Sequence, residues 1–199
     1  MVDAEAWDAR YAATDLLWSA EPNRFVVAEV EGLAPGRAVD LAAGEARNAI
    51  WLAERGWAVT AIDYSAVALE RAARLAEARG VSVELVQADV TTYALEARAY
   101  DLVLVAYLQT AERPRAMWLH RAVEAVAPGG TLLVIGHDRS NLDGGYGGPQ
   151  DPAVLATPDE IAAAMDGLDV VKAELVHRVV ETAEGDRVAI DHVVRARRR

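Results

Sequence analysis

The chain has 199 residues, 53% of them hydrophobic, and a formal net charge of −11 at pH 7. That length and apolar content suit one domain with a substantial core, and the acidic balance disfavours nucleic acid or an anionic membrane as partner. Cysteine is absent, which excludes disulfides and thiolate metal sites.

No apolar run is long enough to span a bilayer, and Asp3 and Glu5 stand where an export signal would carry positive charge. The four histidines, His120, His137, His177 and His192, lack the close spacing of helical metal pairs, so no metal is expected. These features predict a soluble, cytoplasmic protein that handles small molecules, and they leave its oligomeric state open. The run Arg195 to Arg199 reads as a solvated basic tail.

Residues 1–34 read as a helical lead-in: a short helix, a loop around Glu21-Pro22-Asn23, then a second helix. Trp7 and Tyr11, four apart, share one helical face. "RAVDLAA" is a continuous apolar strand of the kind buried on both sides. Glu45 to Arg55 reads as a helix stopped by Gly56, and "WAVTAID" as the next strand. Ser65 caps a helix that runs to about Arg79 and closes at Gly80.

"SVELVQADV" and "YDLVLVAYL" are two further strands. Pro114 opens a helix through Ala127, and Pro128 to Gly130 turn the chain into the strand "TLLVIGH". The glycine-rich loop from Asn141 to Pro152 reads as either a mobile gate or a poorly ordered connection. Thr157-Pro158-Asp159-Glu160 carries a capping box with proline at the first helical position. The last segment gives two longer strands joined near Glu184-Gly185-Asp186, a hairpin.

Strands alternate with helices until that hairpin. The fold expected is therefore α/β and Rossmann-like: a seven-stranded, mostly parallel sheet with helices on both faces and a C-terminal antiparallel hairpin. A single domain, residues 1–199, is expected, with its core over residues 35–199.

In such a sheet a ligand lies beyond the carboxyl ends of the strands, where strand order reverses. The stretch from Ala38 to Ser65 supplies that place: a strand, the turn Asp40-Leu41-Ala42-Ala43-Gly44-Glu45-Ala46, a helix, and a second strand ending in Asp63. Asp63 stands roughly 20 residues beyond the glycine, where a carboxylate accepts from ribose hydroxyls. A pyrophosphate at a helix N-terminus needs bare backbone N–H groups and no nearby negative charge. Asp40 and Glu45 oppose it, because like charges at ~4 Å in a partly buried site cost on the order of a few kcal/mol. The turn instead suits a phosphate-free adenosine bearing an ammonium and a sulfonium, S-adenosylmethionine. A nicotinamide-dependent oxidoreductase would need the glycine-rich phosphate turn that is missing.

"DLAAGEARNAIWLAERGWAVTAIDYS" resembles the first two motifs of class I S-adenosylmethionine-dependent methyltransferases, an acidic residue followed by G-x-G-x-G. Ala42 and Ala46 replace the first and third glycines, so Gly44 is expected to be the only residue taking a left-handed conformation without strain. The resemblance extends through "ADV" (Ala88 to Val90), "YDLVLVAYLQ", "APGGTLLVIGHD" and the hairpin. Together with the lead-in "WDARY…EPN" it points to small stand-alone enzymes of the tellurite-resistance and thiopurine type.

The resemblance implies a methyltransferase that uses S-adenosyl-L-methionine on a small-molecule acceptor. Asp40, Ala42 and Gly44 would shape the pocket for the methionine part. Asp63 would hold the ribose, Tyr64 would flank the adenine, and Asp89 and Val90 would meet its edge. Ala106 and Tyr107 would lie under the sulfonium. His137, ending the fifth strand, is the candidate base or substrate-orienting group, with Tyr107 beside it. Gln109 is expected to line the cleft, and Trp7, Tyr11 and Trp18 to form a lid over it that also contacts substrate. Arg10 and Arg24 are candidates for the cofactor carboxylate or an anionic substrate, whereas Arg47 and Asn48 brace the turn. The two alanines leave open a catalytically silent binding protein, and the residues do not separate a thiol, phenol, amine or metalloid oxyanion as acceptor.

Overall fold

The computed structural model describes residues 4–13 and 20–199. Helices α1 (Ala4–Ala12) and α2 (Arg24–Val30) precede the sheet. The core then runs β1 (Arg37–Leu41), α3 (Arg47–Ala53), β2 (Ala58–Asp63), α4 (Ala66–Ala78), β3 (Glu84–Gln87), β4 (Tyr100–Ala106), α5 (Glu112–Ala125), β5 (Val126–His137), α6 (Pro158–Ala163), β6 (Asp169–Val180) and β7 (Arg187–Arg197). The sheet order is β3-β2-β1-β4-β5-β7-β6, parallel through β5 and antiparallel at β7 and β6. Strand order reverses between β1 and β4, the crevice where such sheets bind ligands.

The expected architecture is therefore present, and local chemistry explains most of its boundaries. Ser65 caps α4, its Oγ accepting from Ala68 N–H at 3.1 Å. Thr157 and Glu160 complete their reciprocal capping box at α6. The inner strands β1 and β4 are buried almost throughout because helices cover both faces. One face packs against Trp118 and Leu119 of α5 and Ile161 of α6; the other packs against Trp51 and Leu52 of α3 and Val26 of α2.

Three expectations need correction. First, Ala42 and Ala46 both adopt left-handed backbone, φ 57° and 58°, alongside Gly44 at 58°. The turn keeps three left-handed positions and tolerates alanine at two of them, at a strain of roughly 1 kcal/mol or more each. Ala42→Gly removes that strain against a smaller entropic cost in the unfolded chain, a net gain of about 0.5–1 kcal/mol. A melting temperature raised by about 2–3 °C is expected by circular dichroism; a lowered one would show that the methyl group is needed for packing.

Second, the arginine run is not a solvated tail. Arg195 and Arg197 lie within β7, and Arg195 pairs with Glu29 at 3.1 Å. Arg198 donates from Nε to Val126 O at 2.8 Å and from a terminal nitrogen to Val123 O at 2.7 Å. A cation there adds a donor at the C-terminal end of α5, where the helix dipole favours positive charge. Third, the loop after β5 is not a poorly ordered connection. Asn141 donates to Gly147 O at 2.8 Å and accepts from Ile190 N–H at 2.7 Å, while Tyr146 N–H donates to Val188 O, pinning the loop to β7.

Candidate active site

The first half of the site is the β1–α3 turn with the end of β2. Asp63 is 5% exposed, and its carboxylate accepts from Gly44 N–H at 2.8 Å and Ser65 N–H at 2.9 Å. A carboxylate has about four acceptor positions; with the Tyr64 N–H also bonded to it, about one remains for a hydroxyl donor. Burial pushes the Asp63 carboxyl up from its ordinary value against the pull of these N–H bonds. Asp40 is 1% exposed and its Oδ2 has no hydrogen-bond partner. Burial first, then the neighbouring Asp63, push its carboxyl up to about 7. An ammonium group is a chemical match for that unpartnered oxygen.

The electrostatic reading of the turn holds only in part. Glu45 is buried but turned to Arg71 of α4 at 3.0 Å, which compensates its charge. What opposes a phosphate at this turn is the commitment of Gly44 N–H to Asp63, with Asp40 close by.

Helix α1 lies over this half. A Cβ on Gly44 would fall 2.6 Å from the Tyr11 hydroxyl, so glycine is required there by close approach as well as by φ. Tyr11 is 4% exposed, and Trp7 stands beside it at a ring distance of 5.8 Å. Asp8 of the same helix accepts from Ser65 Oγ and from Val67 N–H, docking α1 on the start of α4. Trp18 lies outside the described residues. Arg10 stacks on Trp7 and Arg24 on Phe25, both exposed, so neither arginine is drawn into the crevice. Arg47 is the partly buried one, its guanidinium pushed below its usual range by burial and facing Tyr107, Asp40, Arg178 and Glu45. Asn48 braces the lead-in by accepting from Asn23 N–H at 2.8 Å.

On the adenine side, Tyr64 is half-buried and its carbonyl accepts from Gln87. Asp89 is exposed, with Oδ1 closing a local turn onto Thr91 N–H and Oγ, and Val90 packs partly into the core. The second Asp89 oxygen is not used by that turn.

The other half gathers around a residue the sequence reading missed. Asp191 of β7 is 0% exposed. One oxygen accepts from Tyr107 Oη at 2.7 Å and from Arg178 Nε at 2.8 Å. The other lies 2.8 Å from His137 Nδ1, within hydrogen-bond distance but outside its angular range. Burial alone would raise this carboxyl, but His137, Arg178 and Tyr107 bring it below the ordinary carboxylate value. Burial and the adjacent Asp191 push the Tyr107 phenol well above its usual pKa, so its hydroxyl serves as a donor. Tyr107 has φ 60° and its ring lies 5.0 Å from that of His137. The available signal for Asp191 was an acidic residue inside the apolar strand "VAIDHVV". Gln109, with a buried unpartnered Nε2, lines a small internal cavity beside His137, Trp118 and His192. Burial pulls His192 down to about 4, which marks it as a neutral core histidine.

A groove of about 450 Å³ lies at the other end of the strands, lined by Arg98, Leu168, Asp169, Arg198 and Arg199. Its charges are largely committed, Arg199 to Asp169 and Arg198 to the end of α5, and it sits away from the strands' carboxyl ends.

A mostly parallel β3-β2-β1-β4-β5-β7-β6 sheet with an antiparallel hairpin at one edge is a fold shared with solved methyltransferase structures. Residues 38–130 match the model of a methyltransferase domain. The chain is 36% identical over 106 residues to demethylmenaquinone methyltransferase of Thermus thermophilus. That alignment takes in 51% of this chain and 47% of the relative, so this chain matches about half the length of that curated protein. Among solved structures it is similar to N-methyltransferase NodS from Bradyrhizobium japonicum in complex with S-adenosyl-L-homocysteine, with TM-score 0.73, 18% identity and 98% of each chain covered. It is also similar to TehB from Haemophilus influenzae, with TM-score 0.75, 15% identity, and 98% of this chain and 67% of that one covered. At these identities the likeness is one of fold.

Proposed function

We propose that this protein is an S-adenosylmethionine-dependent methyltransferase acting on a small molecule. The observation that carries the reading is the pairing of Asp63, a buried carboxylate with acceptor capacity left at the end of β2, and Asp40, with an unpartnered buried oxygen across the same turn. Asp63 would hold the ribose hydroxyls and Asp40 the ammonium, with Ala42 and Gly44 shaping the backbone between them. Tyr64, Asp89 and Val90 would border the adenine, and Ala106 the sulfur. When bound, the cofactor supplies an activated methyl group attached to a sulfonium leaving group.

The chain's own task is then positional: holding an acceptor in line with that methyl group is worth up to roughly 7–11 kcal/mol in favourable cases. Tyr107 and His137, at the ends of β4 and β5, are the side chains that would orient the acceptor. Trp7 and Tyr11 would exclude water from above. The net charge of −11 favours a small acceptor over nucleic acid. The alanines that motivated a catalytically silent protein take the left-handed conformations the turn needs, so that feature no longer favours silence.

Calorimetric titration with S-adenosylmethionine and S-adenosylhomocysteine tests the reading. Binding is expected for the wild type. Asp63→Ala, folded by circular dichroism, is expected to bind at least about 10-fold more weakly, since at least one charge-assisted hydrogen bond of about 1.5 kcal/mol is lost. A wild type that takes up neither compound would refute it.

A further inference from the structure

Resting on the methyltransferase reading, we propose that Asp191 is a positioning residue that holds His137 as a general base, so that the acceptor is a neutral phenolic or enolic hydroxyl. Two observations carry this.

The first is the anchoring of Asp191. It is wholly buried at the end of the crevice, three side chains from three different elements converge on it, and none of them belongs to the cofactor turn. At 2.8 Å from an Asp191 oxygen, a proton on His137 Nδ1 is favoured, because two lone pairs facing each other at that distance repel. The imidazole is then the tautomer whose Nε2 carries a lone pair. The oblique geometry at Nδ1 is of the kind that tightens when a substrate is bound.

The second is Gly148. A Cβ there would lie 2.7 Å from His137 Cδ2 and 2.9 Å from Nε2. With His137 Cγ at 2.8 Å as well, that Cβ would sit on the face of the imidazole, so a larger residue would push into the ring and displace it. Glycine lets the loop pass against the ring without moving it, and its φ of +74° is one that other residues rarely adopt.

A base of imidazole strength selects among acceptors. A metalloid oxyanion has no proton to lose, and a thiol ionises readily without help. An aliphatic alcohol is too weak an acid for imidazole to assist effectively. A phenol, at a pKa of about 10, is within reach. Arg178 lies 5.7 Å from the centre of the Tyr107 ring, and Arg47 faces the same ring, so two guanidinium groups stand on the Tyr107 side of the crevice. In the step itself, His137 Nε2 takes the hydroxyl proton while an oxygen lone pair forms the bond to the methyl carbon. The carbon–sulfur bond breaks with its electrons remaining on sulfur, and the imidazolium returns its proton to solvent.

The free protein supplies the first test, by long-range ¹H–¹⁵N NMR of His137. The Nδ1–H tautomer is expected in the wild type and a shift towards Nε2–H in Asp191→Asn, whose amide can donate to Nδ1. A wild-type ring in the Nε2–H form overturns the assignment, whether or not any methyl transfer is found, and that measurement stands if Asp191→Asn does not fold. The second test uses an acceptor series from unsubstituted phenol to a nitrophenol already ionised at assay pH. For neutral phenols, His137→Gln is expected to lower kcat roughly 100-fold with KM little changed; for the ionised nitrophenol the loss should fall within a few-fold. Equal losses across the series, or turnover of thiols or amines with none of phenols, overturn the base and the acceptor class. Absence of cofactor binding by calorimetry is instead a failure of the parent reading, and the tautomer then decides the Asp191 assignment by itself.

Discussion

Asp191→Ala is expected to destabilise the protein by about 3 kcal/mol, because the mutation leaves a guanidinium, a phenol and an imidazole without their shared acceptor. Asp191 is fully buried and Tyr107 Oη and Arg178 Nε both donate to one of its oxygens. The lower end of the usual range applies because the Arg178 side chain keeps 25% of its exposure and can recover some hydration. A fall in melting temperature of roughly 6–12 °C follows for a chain of this size. Adding Arg178→Met should return part of the loss, because it removes the stranded charge. A double-mutant cycle in urea measures that coupling, and strict additivity would mean that the cluster is not an energetic unit.

The second large effect is the dependence on pH that Asp40 contributes. Its folded carboxyl is raised from 3.8 to about 7, chiefly by burial. The unfolded chain therefore ionises first as pH rises. The contribution of this group to stability is complete below about pH 4 and is lost progressively up to about pH 7, a total on the order of 4 kcal/mol. Asp40→Asn removes the Asp40 contribution, so the variant should overtake the wild type in urea midpoint between pH 5 and pH 8. Curves that stay parallel would show that Asp40 is ionised throughout. The same linkage works on ligands: if Asp40 meets the cofactor's ammonium, affinity should rise towards pH 7 in the wild type and not in Asp40→Asn.

The sequence alone determined the strands and their order of appearance. Apolar runs bounded by Ser65, Gly80 and Thr157 are local signals, and each is read correctly from a few neighbouring residues. The ends of β1 and β2 were legible for the same reason: Asp40, Gly44 and Asp63 stand close together along the chain. Where local chemistry admits several answers, the fold chose. Alanine at positions 42 and 46 disfavours left-handed backbone in isolation, yet packing and the Gly44–Asp63 bond impose it on the turn.

The terminal arginines look like a tail until β7 pairs with β5 and brings Arg198 against the end of α5. Glu45 counts as a charge facing the ligand until Arg71, 26 residues on, arrives beside it. The second half of the candidate site is the extreme case. His137, Arg178 and Asp191 come from three strands and Tyr107 from just beyond a fourth, and Tyr107 and Asp191 are 84 positions apart. No periodicity or spacing encodes a contact of that range. Only closure of the sheet, driven by burial of its apolar faces, sets one carboxylate within reach of three donors.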